Sequence, residues 1–399
     1  MVISGQSRLR ISGSHLVVEG LLFERAWHQT ALVEFRQDTR KLAANCRLTG
    51  CAIVDCNPPD AALESKWVSL YGRGNRIDHC FLSGKENLGT TLVAWLGEGP
   101  AEHRIDHNHF GPRPPQKKNG GETIRIGDSK TSLQTARCLV EANLFEECNG
   151  EVEIISNKSC DNIYRGNTFL RCAGALTLRH GERCTVAANF FLGQQARRTG
   201  GVRLIGAGHR VVNNYFSELT GDGSRAALSM MNGIPDTPLN GYAQVQQALV
   251  AFNTFVDCRH NVAIGLGESS ATLPPRDCTF ANNIVTTAKA DRPLVQIASK
   301  PERMQWQGNL FFGGKFGLPT LPGVKLLDPQ LARADDSLLR PSPTSPALTA
   351  AEGDFAQLAS DIDGQPRRGK LDVGCDQAST APITNRPLSG ADVGPAWRR

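Results

Sequence analysis

Glu151-Val152-Glu153 sets two carboxylates two residues apart. A strand alternates its side chains with period two, so both would project from one face and converge. Carboxylates held together repel unless a proton or a cation relieves them. Calcium suits such a pair, because it is a hard ion that takes several oxygen ligands on a rigid frame. Lys158 follows Glu151 by seven residues, and Arg179 follows Lys158 by 21. A structural repeat of that length would put the two cations on neighbouring layers, facing the same way as the two carboxylates. The set points toward an enzyme without naming its reaction. The same residues also read as solvated glutamates and surface cations on an exposed strand.

A repeat of that length is present. The signature Asn-x-Phe recurs at Asn108, Asn143, Asn167, Asn189, Asn214 and Asn253, with a looser copy at Asn309 and a related Asn283. The intervals are 35, 24, 22, 25, 39, 30 and 26 residues. Units of 22 to 26 residues with short strands punctuated by Gly and Asn fit an all-β solenoid, the right-handed parallel β-helix. One coil cannot bury its inner face, whereas stacked coils close a core and pair every strand above and below. Phe and Leu of the repeat would point inward. The Asn would sit at a turn, where it tolerates left-handed dihedrals and can bond its own backbone or the Asn of the next coil. Leucine-rich repeats share the period, but their Leu-x-x-Leu-x-Leu pattern is absent. The expected strands include Leu9 to Leu22, Glu122 to Ile126, Glu151 to Ser156 and Ala175 to Leu178. The long intervals mark loops at 111–121 and 220–241, both rich in Gly or Pro.

The chain has 399 residues and a net charge of +5. A length-based prior allows two or three domains, but stacked repeats extend in one direction without separate cores. We expect a catalytic β-helix over 1–320 that lacks its first coils, a terminal wrap and closing coil over 321–380, and a loose tail over 381–399. The arginines are scattered and no nucleic-acid motif is present, so the charge argues mildly for an acidic partner and against nucleic acid. The 12 cysteines form no Cys-x-x-Cys pair. Cys80, Cys148, Cys172 and Cys258 each follow an Asn by five residues, a phasing that fits small buried side chains in a core stack rather than a metal site. No apolar run is long enough for a membrane helix, so no membrane insertion is expected. The N-terminus reads as strand and turn with no export signal, which suggests a start partway into a longer solenoid.

Several segments carry a resemblance. Asn119-Gly-Gly-Glu-Thr-Ile-Arg-Ile-Gly127, Glu141-Ala-Asn-Leu-Phe-Glu146, Gly150-Glu-Val-Glu-Ile-Ile-Ser-Asn-Lys-Ser159, Tyr164-Arg-Gly-Asn-Thr-Phe169 and Leu176-Thr-Leu-Arg-His-Gly181 are similar to the family of poly(β-D-mannuronate) lyases and chondroitinase B. That family folds as a right-handed parallel β-helix, in agreement with the period. The resemblance implies a catalytic base at Lys158 and a second catalytic residue at Arg179. It implies Ca2+ held by Asn119, Glu151 and Glu153, with Glu122 as an auxiliary. His180 and Tyr164 match positions near the bound sugar. Arg125, Arg165, Arg183 and Arg203 are candidates for substrate carboxylates or sulfates. The implied activity is calcium-assisted β-elimination at a uronate, which leaves 4,5-unsaturated ends on an acidic polysaccharide. Alginate is favoured, and dermatan sulfate is the alternative. A periplasmic or secreted location follows from the same resemblance.

Two other functions compete. A glycoside hydrolase needs carboxylates flanking the bond, and Glu151 and Glu153 are too close for that. A non-catalytic glycan-binding β-helix would be satisfied by the Asn-x-Phe repeat alone.

Overall fold

The computed structural model describes residues 1–116 and 118–398; Lys117 of the expected 111–121 loop and Arg399 of the tail lie outside the described residues. The chain is a right-handed parallel β-helix, as the period predicts. Three short strands make a coil, and each strand pairs in parallel with its counterparts in adjacent coils. Among the described residues the only helices are the 3₁₀ turns Gly223–Arg225 and Ala396–Arg398.

The chain divides into two compact units. One comprises Met1–Glu182 with the C-terminal stretch from Leu388, and the other Arg183–Pro387. In the first unit, one sheet runs from Val2–Gln6 to Thr168–Leu170 and another from Val17–Glu19 to Ile163–Arg165. The sheet that matters for function runs through Ala31–Glu34, Lys66–Leu70, Leu92–Ala94, Ile124–Gly127, Glu153–Lys158 and Ala175–His180. Its alternation is plain at Ile124-Arg125-Ile126, where both isoleucines are fully buried and Arg125 points out. The second unit has three sheets of the same kind, beginning at Thr185–Ala187, Phe190–Leu192 and Val202–Leu204.

The Asn-x-Phe signature is a double ladder. In the first unit, Asn108 Nδ2 donates to Asn143 Oδ1 (3.0 Å), and Asn143 Nδ2 to Asn167 Oδ1 (3.0 Å). In the second, the chain of amides runs Asn189, Asn214, Asn253, Asn283, Asn309. Each side chain is fully buried, so an unpaired amide would cost about 1–3 kcal/mol. The rings stack beside them: Phe145 lies 4.9 Å from Phe110 and 4.7 Å from Phe169, nearly parallel to both. The left-handed residue of the turn is not the Asn but the one before it, as at His107 (φ 53°) and Ala142 (φ 50°). The Asn is thereby free to turn inward and serve the ladder. All 12 cysteines are buried free thiols.

Several expected boundaries move. Leu9 to Leu22 is broken by coil corners into Leu9–Arg10, Gly13–Ser14 and Val17–Glu19. The expected 220–241 loop contains the strand Leu228–Met231. The expected strand at Glu151 begins two residues later, at Glu153–Lys158, with a bend at 151–152.

In the second unit, Leu338, Ile362 and Cys375 pack on Phe190, Tyr215 and Val256, and Arg340 pairs with Asp363 (2.7 Å) and Asp376 (3.1 Å). Within the segment expected as a loose tail over 381–399, the described residues make several hydrogen bonds. Asn385 Nδ2 donates to Ala188 O (3.0 Å) in the second unit. In the first, Leu388 N–H donates to Thr168 Oγ1 (2.8 Å), Gly394 N–H to His107 O (2.9 Å), and Trp397 Nε1 to Gly50 O (2.7 Å). Arg398 stacks on Phe81. A chain terminus is expected to be free, but here backbone and indole donors find partners along the coils.

Candidate active site

Glu151 lies on the bend and Glu153 opens the strand, so strand alternation alone does not bring them together. A close approach of two loops does. A Cβ on Gly121 would meet Gly150 O at 2.5 Å, and one on Gly150 would meet Gly121 O at 2.1 Å. Glycine at both positions lets the backbones touch, and the residues that follow are Glu122 and Glu151. The strand register reinforces this. Ile124 pairs with Ile155, so the segments bearing Glu122 and Glu153 enter neighbouring strands side by side.

The result is a cluster of three carboxylates. One ligand oxygen from each of Glu122, Glu151 and Glu153 lies within 4.8 Å of the others. Glu122 and Glu153 are buried. Thr90 Oγ1 donates to Glu122 Oε2 (3.1 Å), and Gly120 N–H donates to Glu151 Oε2 (3.2 Å). The guanidinium of buried Arg113 donates to Glu122 O and Gly89 O, both at 2.8 Å, and pins the loop from behind. Burial, then the charges of Glu122 and Glu153, push the Glu151 carboxyl up to about 8. Hard oxygen donors gathered against their own repulsion could hold a metal cation.

Asn119, the expected third ligand, is exposed on the loop, and its side chain makes no hydrogen bond among the described residues. Glu122, expected only as an auxiliary, is the group gathered with Glu151 and Glu153. The spacing held that signal, since 31 residues separate both Glu122 from Glu153 and Ile124 from Ile155.

Lys158 ends the strand that Glu153 begins. Its neighbour in one direction is Gly127, where a Cβ would meet Lys158 O at 2.5 Å and where φ is 77°. In the other direction the register jumps. Asn157 pairs with Leu178 and Lys158 with His180, so Arg179 is the extra residue of a β-bulge. Bulges re-aim side chains. Here Arg179 Nε lies 3.6 Å from Glu153 Oε1, so the guanidinium reaches from the Lys158 end of the strand toward the carboxylates. His180 is buried in register with Lys158.

The remaining candidates separate. Arg125 is half-buried on the outward face, in register with Ser156 one strand from Lys158. Tyr164 is corrected: it is fully buried, and its hydroxyl donates to Asn157 Oδ1 (2.7 Å). It belongs to the core beneath Lys158 and does not reach a sugar. Asn157 Nδ2 in turn donates to His180 O (2.8 Å) and Ser159 O (2.9 Å), so this amide ties the two site strands together. Arg165 is tied to Glu141 (2.7 Å) on a different sheet. Arg203 lies in the second unit, with Nη2 donating to the Tyr242 hydroxyl (3.0 Å). Arg183 is also in the second unit, exposed at a left-handed corner (φ 55°).

A family model for chondroitinase B matches residues 1–319. The chain belongs to the chondroitinase B family. Several solved structures resemble this family member closely. The family 6 alginate lyase AlyGC is 34% identical with a TM-score of 0.86; the match covers 99% of this chain but 51% of AlyGC, so the chain spans about half of that enzyme's length. A mannuronic acid-specific family 6 polysaccharide lyase from the human gut microbiota is 33% identical over 82% of this chain and 77% of its own, with a TM-score of 0.74. The family 6 polysaccharide lyase Pedsa3628 from Pseudopedobacter saltans is 25% identical over 99% of this chain and 86% of its own, with a TM-score of 0.70. No curated protein matches this family member significantly.

Proposed function

We propose that this chain cleaves the 1,4-linkage of alginate by calcium-assisted β-elimination at a uronate, leaving 4,5-unsaturated ends. The observation that carries the proposal is the placement of Lys158 and Arg179 at one end of a strand whose other end holds the Glu122, Glu151, Glu153 cluster. The carboxylate of a uronate sits on the carbon next to C5, so Lys158 and Arg179 would act by reaching along the strand toward the cluster, as the Arg179 guanidinium does at 3.6 Å from Glu153. The mannuronic acid specificity of a 33% identical lyase supports alginate as the polymer.

Glu122, Glu151 and Glu153 would hold the calcium ion, with Asn119 on the adjoining loop as a further oxygen donor. When bound, the ion supplies Lewis-acid stabilisation to the charge that builds on a substrate carboxylate. Lys158 Nζ takes the C5 proton. The electron pair released forms the C4–C5 double bond, the C4–O4 bond breaks, and O4 leaves with a proton from solvent or from Lys158. Arg179 stays charged throughout, because a guanidinium does not give up its proton in proteins. Its role is to stabilise the dianionic intermediate and orient O4. Buried Asn157 and Tyr164 hold the backbone under Lys158 and His180, so the base needs little reorganisation.

The test is incubation with alginate, its mannuronate- and guluronate-enriched blocks, and dermatan sulfate, with and without calcium, following the ultraviolet absorbance of unsaturated uronate. We expect product from alginate that depends on calcium. Product from dermatan sulfate alone would move the substrate to the sulfated polymer, and shortening without unsaturated ends would make the enzyme a hydrolase.

A further inference from the structure

Beyond Lys158, toward the N-terminal coils, the outward face carries a four-membered stack. Arg36 Cζ lies 3.7 Å from the Tyr71 ring centroid. Tyr71 stacks on Trp95 at 6.0 Å and 11°. Arg125 Cζ lies 4.9 Å from the Trp95 ring. The strand register explains the row. Leu70 pairs with Ala94 and Ala94 with Ile126, so Tyr71, Trp95 and Gly127 follow one another at the strand ends, and Gly127 pairs with Lys158. The row therefore ends on the base. It climbs one coil, about 4.8 Å, per member, so Arg36 stands roughly 19 Å from Lys158.

Two further observations point to a ligand. Within the row itself, Arg125 Nε is buried and has no hydrogen-bond partner among the described residues. Such a group is costly unless something supplies a partner. At the far end, Glu34 is the shared partner of Arg8, Arg36 (3.3 Å) and Arg10 (3.9 Å). One buried carboxylate among three guanidiniums leaves an excess of positive charge.

We propose that Arg36, Tyr71, Trp95 and Arg125 form an extended subsite for a run of acidic sugars on one side of the cleavage point. This rests on the lyase assignment above and deepens it. A 1,4-linked polyuronate lying along the solenoid axis presents carboxylates at intervals comparable to the coil rise. Stacking on the rings removes rotamer freedom from Arg36 and Arg125, so their N–H edges meet those carboxylates pre-ordered. The aromatic pair between them, its faces taken up by the stack, fixes the spacing of the two guanidiniums and presents its ring edges to the sugars. The enzyme is therefore built to favour long chains, with the extra sugars bound on the N-terminal side of Lys158.

The test measures binding of saturated oligouronates of two to six sugars to the Lys158→Ala protein by calorimetry with calcium present, alongside product release by the wild type. We expect affinity to rise with each added sugar. Trp95→Leu and Arg36→Gln should each weaken the hexamer about tenfold more than the dimer. Arg36 is partly buried at the outer end of the row, and Arg8 remains paired with Glu34 when it is replaced, so its variant serves should Trp95→Leu fold poorly. Equal weakening at every length, or a length dependence that both variants retain, would overturn the subsite. Absence of unsaturated product from every polymer, with the length-dependent binding intact, would instead remove the lyase assignment and leave the subsite standing.

Discussion

Arg179 stands across from Lys158 as the unpaired residue of a bulge, and its Nε lies 3.6 Å from Glu153 Oε1. Alternation turns Arg179 outward between buried Leu178 and His180, and the bulge leaves it opposite no residue of the neighbouring strand. The guanidinium thus lies over the site strand, reaching from the Lys158 end toward the carboxylates.

Arg179→Ala should lower kcat by roughly 10²–10³-fold, the usual cost of removing one charge-stabilising donor. Arg179→Lys should recover part of the loss, since it restores the charge but not the fork. Initial rates on alginate for the three proteins, with circular dichroism to verify the fold, decide this. Full activity in Arg179→Ala would remove it from the reaction.

Glu122→Gln should weaken calcium binding at least tenfold, because one of three converging carboxylates loses its charge. The thermal melt of the wild-type protein should rise with calcium, as any ligand of the folded state requires, and the rise should shrink in the variant. Asn119→Ala is the companion measurement. A larger loss there than in Glu122→Gln would return Asn119 to the position expected from sequence.

Tyr164→Phe should cost about 1–2 kcal/mol of stability, the net worth of the hydroxyl bond to Asn157. KM for alginate should not change, because the side chain is fully buried. Urea unfolding and steady-state kinetics on one preparation check both. An increase in KM without loss of stability would restore Tyr164 to the substrate.

Acid should destabilise both units through buried histidines. His103 Nδ1 accepts from Asn75 N–H and His209 Nδ1 from Cys184 N–H, so each ring must be neutral on that side. Burial holds both down at about 4, against 6.5 in the free side chain. A depressed folded value means the stabilisation is complete above about pH 6.5 and is lost as pH falls toward 4, up to roughly 3 kcal/mol for each ring. Unfolding free energies between pH 7 and 4 should show that slope. His103→Asn should flatten it, since Asn75 and Asn162 already serve comparable ladder positions without titrating. An unchanged slope would contradict this origin.

Much of the scaffold was legible because Asn and Phe recur at the coil period and each has a physical duty there. The amides form a ladder and the rings form a stack, so spacing alone implied layers. Lys158 and Arg179 were legible for the same reason, one coil apart. What escaped lay at irregularities. Resemblance alone places Tyr164 near the sugar, and a three-residue strand gives no facing to set against it; it is core. Glu122 and Glu151 meet through the Gly121–Gly150 contact, which follows from no alternation rule. The row from Arg36 to Arg125 required the register of four strands, and its members lie far apart in sequence.

The most direct measurement compares unsaturated-uronate release from alginate by the wild-type protein and by Lys158→Ala, both with calcium and both shown to be folded. We predict steady release by the wild type and a loss of at least 10²-fold in the variant. Equal rates in the two proteins would contradict the assignment of Lys158 as the base.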